Sequence, residues 1–106
     1  GEIPCKKVYE NDYVLSFYDV NPQKKIHVLV IPKGEYIDLD DFHNKASEKE
    51  IIEFNKAITH IVKKLKISSQ DDGYRTLSNV GKNGEQEIPH LHYHIFGGEK
   101  VGKMVF

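Results

Sequence analysis

Two short runs of mixed apolar and polar residues, 6–9 and 14–19, flank the turn-like triplet Glu10-Asn11-Asp12, a pattern that predicts a β-hairpin. Asn21-Pro22 breaks the chain again. Ile26-His27-Val28-Leu29-Val30-Ile31 is nearly all apolar, as in a strand buried on both faces, and Pro32 and Gly34 end it. Residues 38–42 predict one short helical turn. The long helix starts at Ser47, where Ser47-Glu48-Lys49-Glu50 has the form of a capping box. Ile51, Phe54, Ile58, Ile61 and Leu65 then recur every three or four residues, with Ala57 and Val62 beside them. One face of that helix is therefore apolar and reads as core or subunit packing. Residues 74–78 predict a strand, 79–87 a loop holding Gly81 and Gly84, and 90–96 a last strand closed by Gly97-Gly98. Hairpin-length connections around one long helix predict an α+β fold, an antiparallel sheet with a helix on one face.

Length and charge narrow the function classes. At 106 residues the chain is expected to be one domain over 1–106. Fifteen basic residues against sixteen acidic ones give a net charge of −1, which does not mark a general binder of nucleic acid or of membrane surfaces. No apolar run approaches the ~20 residues that span a bilayer. Gly1-Glu2-Ile3-Pro4 is not a secretory signal, and a start without Met suggests residues upstream. The single cysteine, Cys5, leaves no internal disulfide and no Cys-x-x-Cys hook, so a reducing, cytoplasmic home is expected.

Six histidines are many for this length, and three stand at positions 90, 92 and 94. On a strand these three share one face, spaced by about 6.6–6.8 Å, while Leu91, Tyr93 and Ile95 point into a core. Idle buried imidazoles are costly because each needs a hydrogen-bond partner, so the trio suggests a site. Two chemistries fit. His-x-His gives two metal ligands that a third could complete. Alternatively, a neutral imidazole attacks phosphorus while its second nitrogen is held by a hydrogen bond that sets the tautomer. The upstream loop, Asn79-Val80-Gly81-Lys82-Asn83-Gly84-Glu85-Gln86, favours phosphate, because glycines let backbone N–H groups approach an anion.

Pro89-His90-Leu91-His92-Tyr93-His94-Ile95-Phe96 resembles the signature of the histidine-triad (HIT) superfamily. The ending Ile95-Phe96-Gly97-Gly98 is closer to its Hint branch, the purine nucleoside phosphoramidases, than to the Fhit branch. Phe17-Tyr18-Asp19-Val20-Asn21-Pro22-Gln23 resembles the family's nucleoside segment, and Ile26–Lys33 its central strand. The resemblance implies a five-stranded antiparallel sheet with one long and one short helix, and a homodimer. It implies that His92 attacks the α-phosphorus of a purine nucleotide conjugate, probe substrate an adenosine 5′-phosphoramidate, to give a nucleotidyl-histidine that water then hydrolyses to the nucleoside monophosphate. His94 would contact phosphate oxygens, and His90 and His27 would orient the triad. Asp19 would bind the ribose hydroxyls, and Phe17 and Val20 would border the base. Asn79, with Gly84 and Gln86 of the glycine loop, would lie at the phosphate. No cofactor is implied.

Departures from the family pattern qualify the activity. Glu87 stands where many Hint proteins carry a serine thought to help protonate the leaving group, and Glu85 where glycine is common. With these acids in place, a low-turnover nucleotide-binding module is the alternative to an enzyme, and a metal site on the triad is a third reading. Glu35 stands about where some bacterial members carry a zinc-binding histidine, so no structural zinc is expected. His43, His60 and Lys33 read as surface residues.

Overall fold

The first hairpin forms as its turn residues dictate. In the computed structural model, which describes residues 6–104, strand β1 (Lys7–Glu10) runs antiparallel to β2 (Val14–Tyr18). The Asn11 side-chain oxygen accepts from the backbone N–H groups of Tyr13 at 2.8 Å and Val14 at 2.9 Å, closing the turn. The expectations made on residues 1–4 and Cys5 lie outside the described residues.

Strand β3 (Ile26–Pro32) lies between β2 and β5 (Tyr93–Gly97), and β4 (Arg75–Leu77) pairs with the outer edge of β5. The sheet order is β1-β2-β3-β5-β4, and every pairing is antiparallel. Helices α1 (Leu39–Lys45) and α2 (Glu48–Lys64) connect β3 to β4. This is the expected α+β architecture with one short and one long helix.

The capping box at the start of α2 is present in full. Ser47 Oγ accepts from the Glu50 N–H at 3.1 Å, and Glu50 Oε1 accepts from the Ser47 N–H at 3.0 Å. Phe54, Ala57, Ile58, Ile61 and Val62 of α2 join Val28, Val30, Leu91 and Ile95 in the core, with Ile51 and Leu65 half-buried at its margin. Most of the apolar stripe is thus spent on the core of the fold.

Two expectations need correction. The central strand is not buried evenly on both faces: Val28 and Val30 enter the core, whereas Leu29 and Ile31 are half-buried and line a cavity on the opposite face with His27. The last strand begins at Tyr93, not His90. Pairing with β3 starts at Val30–Tyr93, and ahead of it Leu91 donates its N–H to the Tyr36 carbonyl at 2.7 Å. His90 and His92 therefore sit in an irregular approach held by residue 36, and only His94 occupies a strand position.

Candidate active site

Sheet alternation delivers the site. With α2 on one face, the odd positions of β3 (His27, Leu29, Ile31) and His94 of β5 turn to the other, where a cavity of about 880 Å³ opens. That volume is within the range of small-molecule pockets. His90 and His92 line it although they precede the strand, because Leu91 keeps the alternation by burying its side chain on the core side. Phe17, Asp19, Val20, Asn79 and Gly84 also line it, Val20 at an exposed rim.

Gln86 is placed differently. Its amide nitrogen donates to the carbonyls of Ile37 at 2.7 Å and Ile88 at 3.0 Å, and its oxygen accepts from the Gly81 N–H at 3.2 Å. The side chain braces the loop and is not among those lining the cavity. Lys33 pairs on the surface with Glu10 at 2.6 Å, and with Lys7 it holds the Glu10 carboxyl down at about 2. His43 and His60 are exposed.

The hydrogen bonds assign the protons of three imidazoles. A carbonyl oxygen only accepts, so the 2.8 Å contact between His92 Nδ1 and the His90 carbonyl puts a proton on Nδ1 and leaves a lone pair on Nε2. His27 Nδ1 accepts from the Gln23 backbone N–H at 3.1 Å. Its proton is therefore on Nε2, which donates to His94 Nδ1 at 2.9 Å. His94 in turn carries its proton on Nε2. Neighbouring triad residues thus hold opposite tautomers, His92 with a bare Nε2 and His94 with an Nε2–H donor.

The surroundings favour the neutral forms of His27 and His94. Burial lowers the His27 pKa from its ordinary value, against the opposing pull of Asp19. Burial also lowers that of His94, helped by the neighbouring His92 and His27, with Asp19 again opposing. Phe96 supplies much of the apolar contact, its ring 4.3 Å from that of His27 and 5.6 Å from that of His94. Asp19 Oδ2 lies 3.5 Å from His27 Nε2, and Oδ1 accepts from the Asn21 N–H at 2.8 Å.

Asp19, His27 and His94 bring three ligand-type atoms within 4.8 Å of one another. Their hydrogen bonds do not suit a metal. With Nδ1 of His27 facing a backbone N–H, its Nε2 bears the proton and has no lone pair to give.

Glu85 and Glu87 both line the cavity. Glu85 adopts φ +58, a left-handed conformation in which glycine is unstrained. Sequence reasoning missed Gln23 and Tyr36, which act through backbone groups and leave no side-chain signal. Leu29 and Ile31 were within reach, since they fall at two and four residues from His27 on one face.

The HIT domain model matches residues 1–101. An uncharacterised HIT-like protein of Azospirillum brasilense is 48% identical over 105 residues, covering 99% of this chain and 84% of its own length. A HIT-like protein of Helicobacter pylori is 47% identical over 100 residues, 94% of this chain and 90% of its own. Among solved structures, a histidine triad protein from Clostridium difficile matches with a TM-score of 0.85 at 40% identity, over 99% of this chain and 89% of that one. A HIT family hydrolase from Clostridium thermocellum matches with the same TM-score of 0.85 at 32% identity, over 99% and 89%.

Proposed function

Because the chain belongs to the HIT domain family, we propose that it is a nucleotide hydrolase acting at the α-phosphorus of purine nucleoside 5′-phosphoramidates and related conjugates, with adenosine as the nucleoside to test first. The opposite tautomers of His92 and His94 are the observation that carries this reading. One ring offers a lone pair to the cavity while its neighbour offers a proton. Nucleophilic substitution at a phosphoryl centre needs both, a nucleophile and a donor for the oxygen that gains charge.

The reaction balances as two displacements. The His92 Nε2 lone pair forms a bond to phosphorus as the P–N bond breaks, and the departing nitrogen keeps the pair and takes a proton from solvent. His92 Nδ1–H, still bonded to the His90 carbonyl, steadies the charge that the ring acquires. His94 Nε2–H donates to a non-bridging phosphate oxygen. Water then attacks phosphorus, loses a proton, and returns the electron pair to Nε2. Nucleoside monophosphate leaves.

The remaining roles follow the cavity. Asp19 would accept from the ribose hydroxyls, Phe17 and Val20 would border the base, and Asn79 and Gly84 would lie at the phosphate. His27 acts through His94, and His90 through its carbonyl. A homodimer belongs to the same reading.

A second reading is favoured by one observation. Glu85 and Glu87 put negative charge beside a phosphate site, which suits a nucleotide-binding module of little turnover. A single-turnover assay separates the two: AMP release from adenosine 5′-phosphoramidate is expected, and its loss in His92→Ala. Equal release from the variant would sink His92 as the nucleophile. Tight AMP binding with no release from the unaltered protein would give the binding module precedence.

A further inference from the structure

Among the described residues, three acidic ones line the cavity, Asp19, Glu85 and Glu87, and no lysine or arginine does. Asp19 is already engaged with the Asn21 N–H and faces His27. Among the described residues neither Glu85 nor Glu87 forms an ion pair or a side-chain hydrogen bond, and both are exposed. A phosphoryl substrate adds another negative charge to this setting. The electrostatics become favourable only if the substrate also brings a positive charge to the loop side.

Apolar surface shows how that charge would be carried. Ile88 follows Glu87 directly, lines the cavity and is 60% exposed. An aliphatic stem could lie along it and place a cationic end at the two carboxylates, the manner in which amphipathic chains cover apolar surface while keeping the charge wet. Glu85 holds its carboxylate there despite φ +58, a conformation that costs a side-chain-bearing residue.

We infer that Glu85 and Glu87 select the leaving group by charge, and that the preferred substrates are nucleoside 5′-phosphoramidates of diamines, with one nitrogen bonded to phosphorus and an ammonium at the far end of a short alkyl stem. This rests on the hydrolase reading above. The bond broken is the same P–N bond; the departing nitrogen takes one proton from solvent as the bond breaks and a second once it is free, so the diamine ends as a dication while the distal ammonium stays unreacted throughout. Leaving groups with added negative charge, such as a pyrophosphate or an amino-acid carboxylate, are disfavoured by the same pair.

Three adenosine 5′-phosphoramidates of matched stem test this: those of 1,4-diaminobutane, n-butylamine and 4-aminobutyrate. At low salt kcat/KM is expected to fall in that order, with about tenfold between the cationic and anionic compounds, as two exposed carboxylates allow. The gap should shrink by 1 M salt, where the screening length is about 3 Å. In the double variant Glu85→Gln, Glu87→Gln the three compounds should converge. Equal rates in the unaltered protein, or a ranking that survives the double substitution, would overturn the inference and leave the hydrolase reading standing. Calorimetric Kd values of the three compounds for His92→Ala read the same ranking without turnover. Failure of all three to release AMP would thus count against the hydrolase reading, while the Kd order still decides the charge selection.

Discussion

On the sheet side of the cavity, His27 and His92 each have one ring nitrogen fixed by a backbone group, and His94 takes its tautomer from His27. On the loop side, Glu85 and Glu87 have no such partners among the described residues, and their exposure leaves them free to reorient. The difference reflects what each half must do. Chemistry at phosphorus needs nitrogens held in one orientation, which the backbone hydrogen bonds to His27 and His92 and the contact of His27 with His94 provide. Charge selection works through solvent and tolerates a mobile side chain, which a loop provides at little cost to the fold. Substitutions on the two sides should therefore fail in different ways.

The largest effect belongs to the nucleophile. His92→Ala should lower single-turnover AMP release by about a thousandfold or more, as loss of a covalent nucleophile does, while AMP affinity changes little. A tenfold loss would mean that the sheet side positions the substrate without attacking it.

Next is the anchor one step removed. His27→Ala deprives His94 Nδ1 of its donor, so the two His94 tautomers become comparably populated. The expected loss in kcat is about tenfold to a hundredfold, the size seen when a supporting hydrogen bond to a working histidine is removed. Nitrogen chemical shifts of His94 read the tautomer directly, and a kcat loss with His94 still protonated on Nε2 would show that His27 only packs. Removing this buried ring also costs the fold, by about 2–4 kcal/mol.

A smaller effect, again confined to the sheet side, appears with pH. Burial holds the pKa values of both His27 and His94 below the ordinary 6.5. As pH falls below that value the unfolded chain takes up protons that the folded one refuses. Stability should therefore be level above about pH 6.5 and decline as pH falls through the lowered folded values. Urea midpoints across that interval check the sign, and His27→Ala should flatten part of the slope. No flattening would place the proton uptake elsewhere.

The sequence made much of this legible. The capping box at Ser47, the stripe from Phe54 to Val62 and the turn at Asn11 are local signals, and each formed as its chemistry requires. The triad was legible as a cluster because Leu91 and Tyr93 between the histidines, and Ile95 after them, marked the core side. Its geometry was not. Alternation alone places three imidazoles on one strand, but the Tyr36 carbonyl takes the Leu91 N–H and delays the ladder to Tyr93. The tautomers were out of reach as well, since they depend on the backbone N–H of Gln23 and the carbonyl of His90. Backbone groups look alike in any sequence, and only the fold decides which ring they meet. Gln86 was misplaced for a related reason: a polar side chain in a glycine loop can face a ligand or brace the loop, and here the carbonyls of Ile37 and Ile88 claim it.

The smallest effect sharpens the comparison from the loop side. Glu85 has φ +58, and glycine adopts that conformation without the clash between Cβ and the following carbonyl. Glycine also gains more freedom in the unfolded chain, which offsets part of the relief. Glu85→Gly should therefore stabilise the protein by only about 0.5 kcal/mol, visible as a higher urea midpoint at unchanged slope. It should leave the His94 nitrogen shifts in place and narrow the gap between cationic and anionic leaving groups. A loss of stability above about 1 kcal/mol would mean that the Glu85 side chain supports the loop. The loop side would then be a structural element like the sheet side, and the division of labour between them would fail.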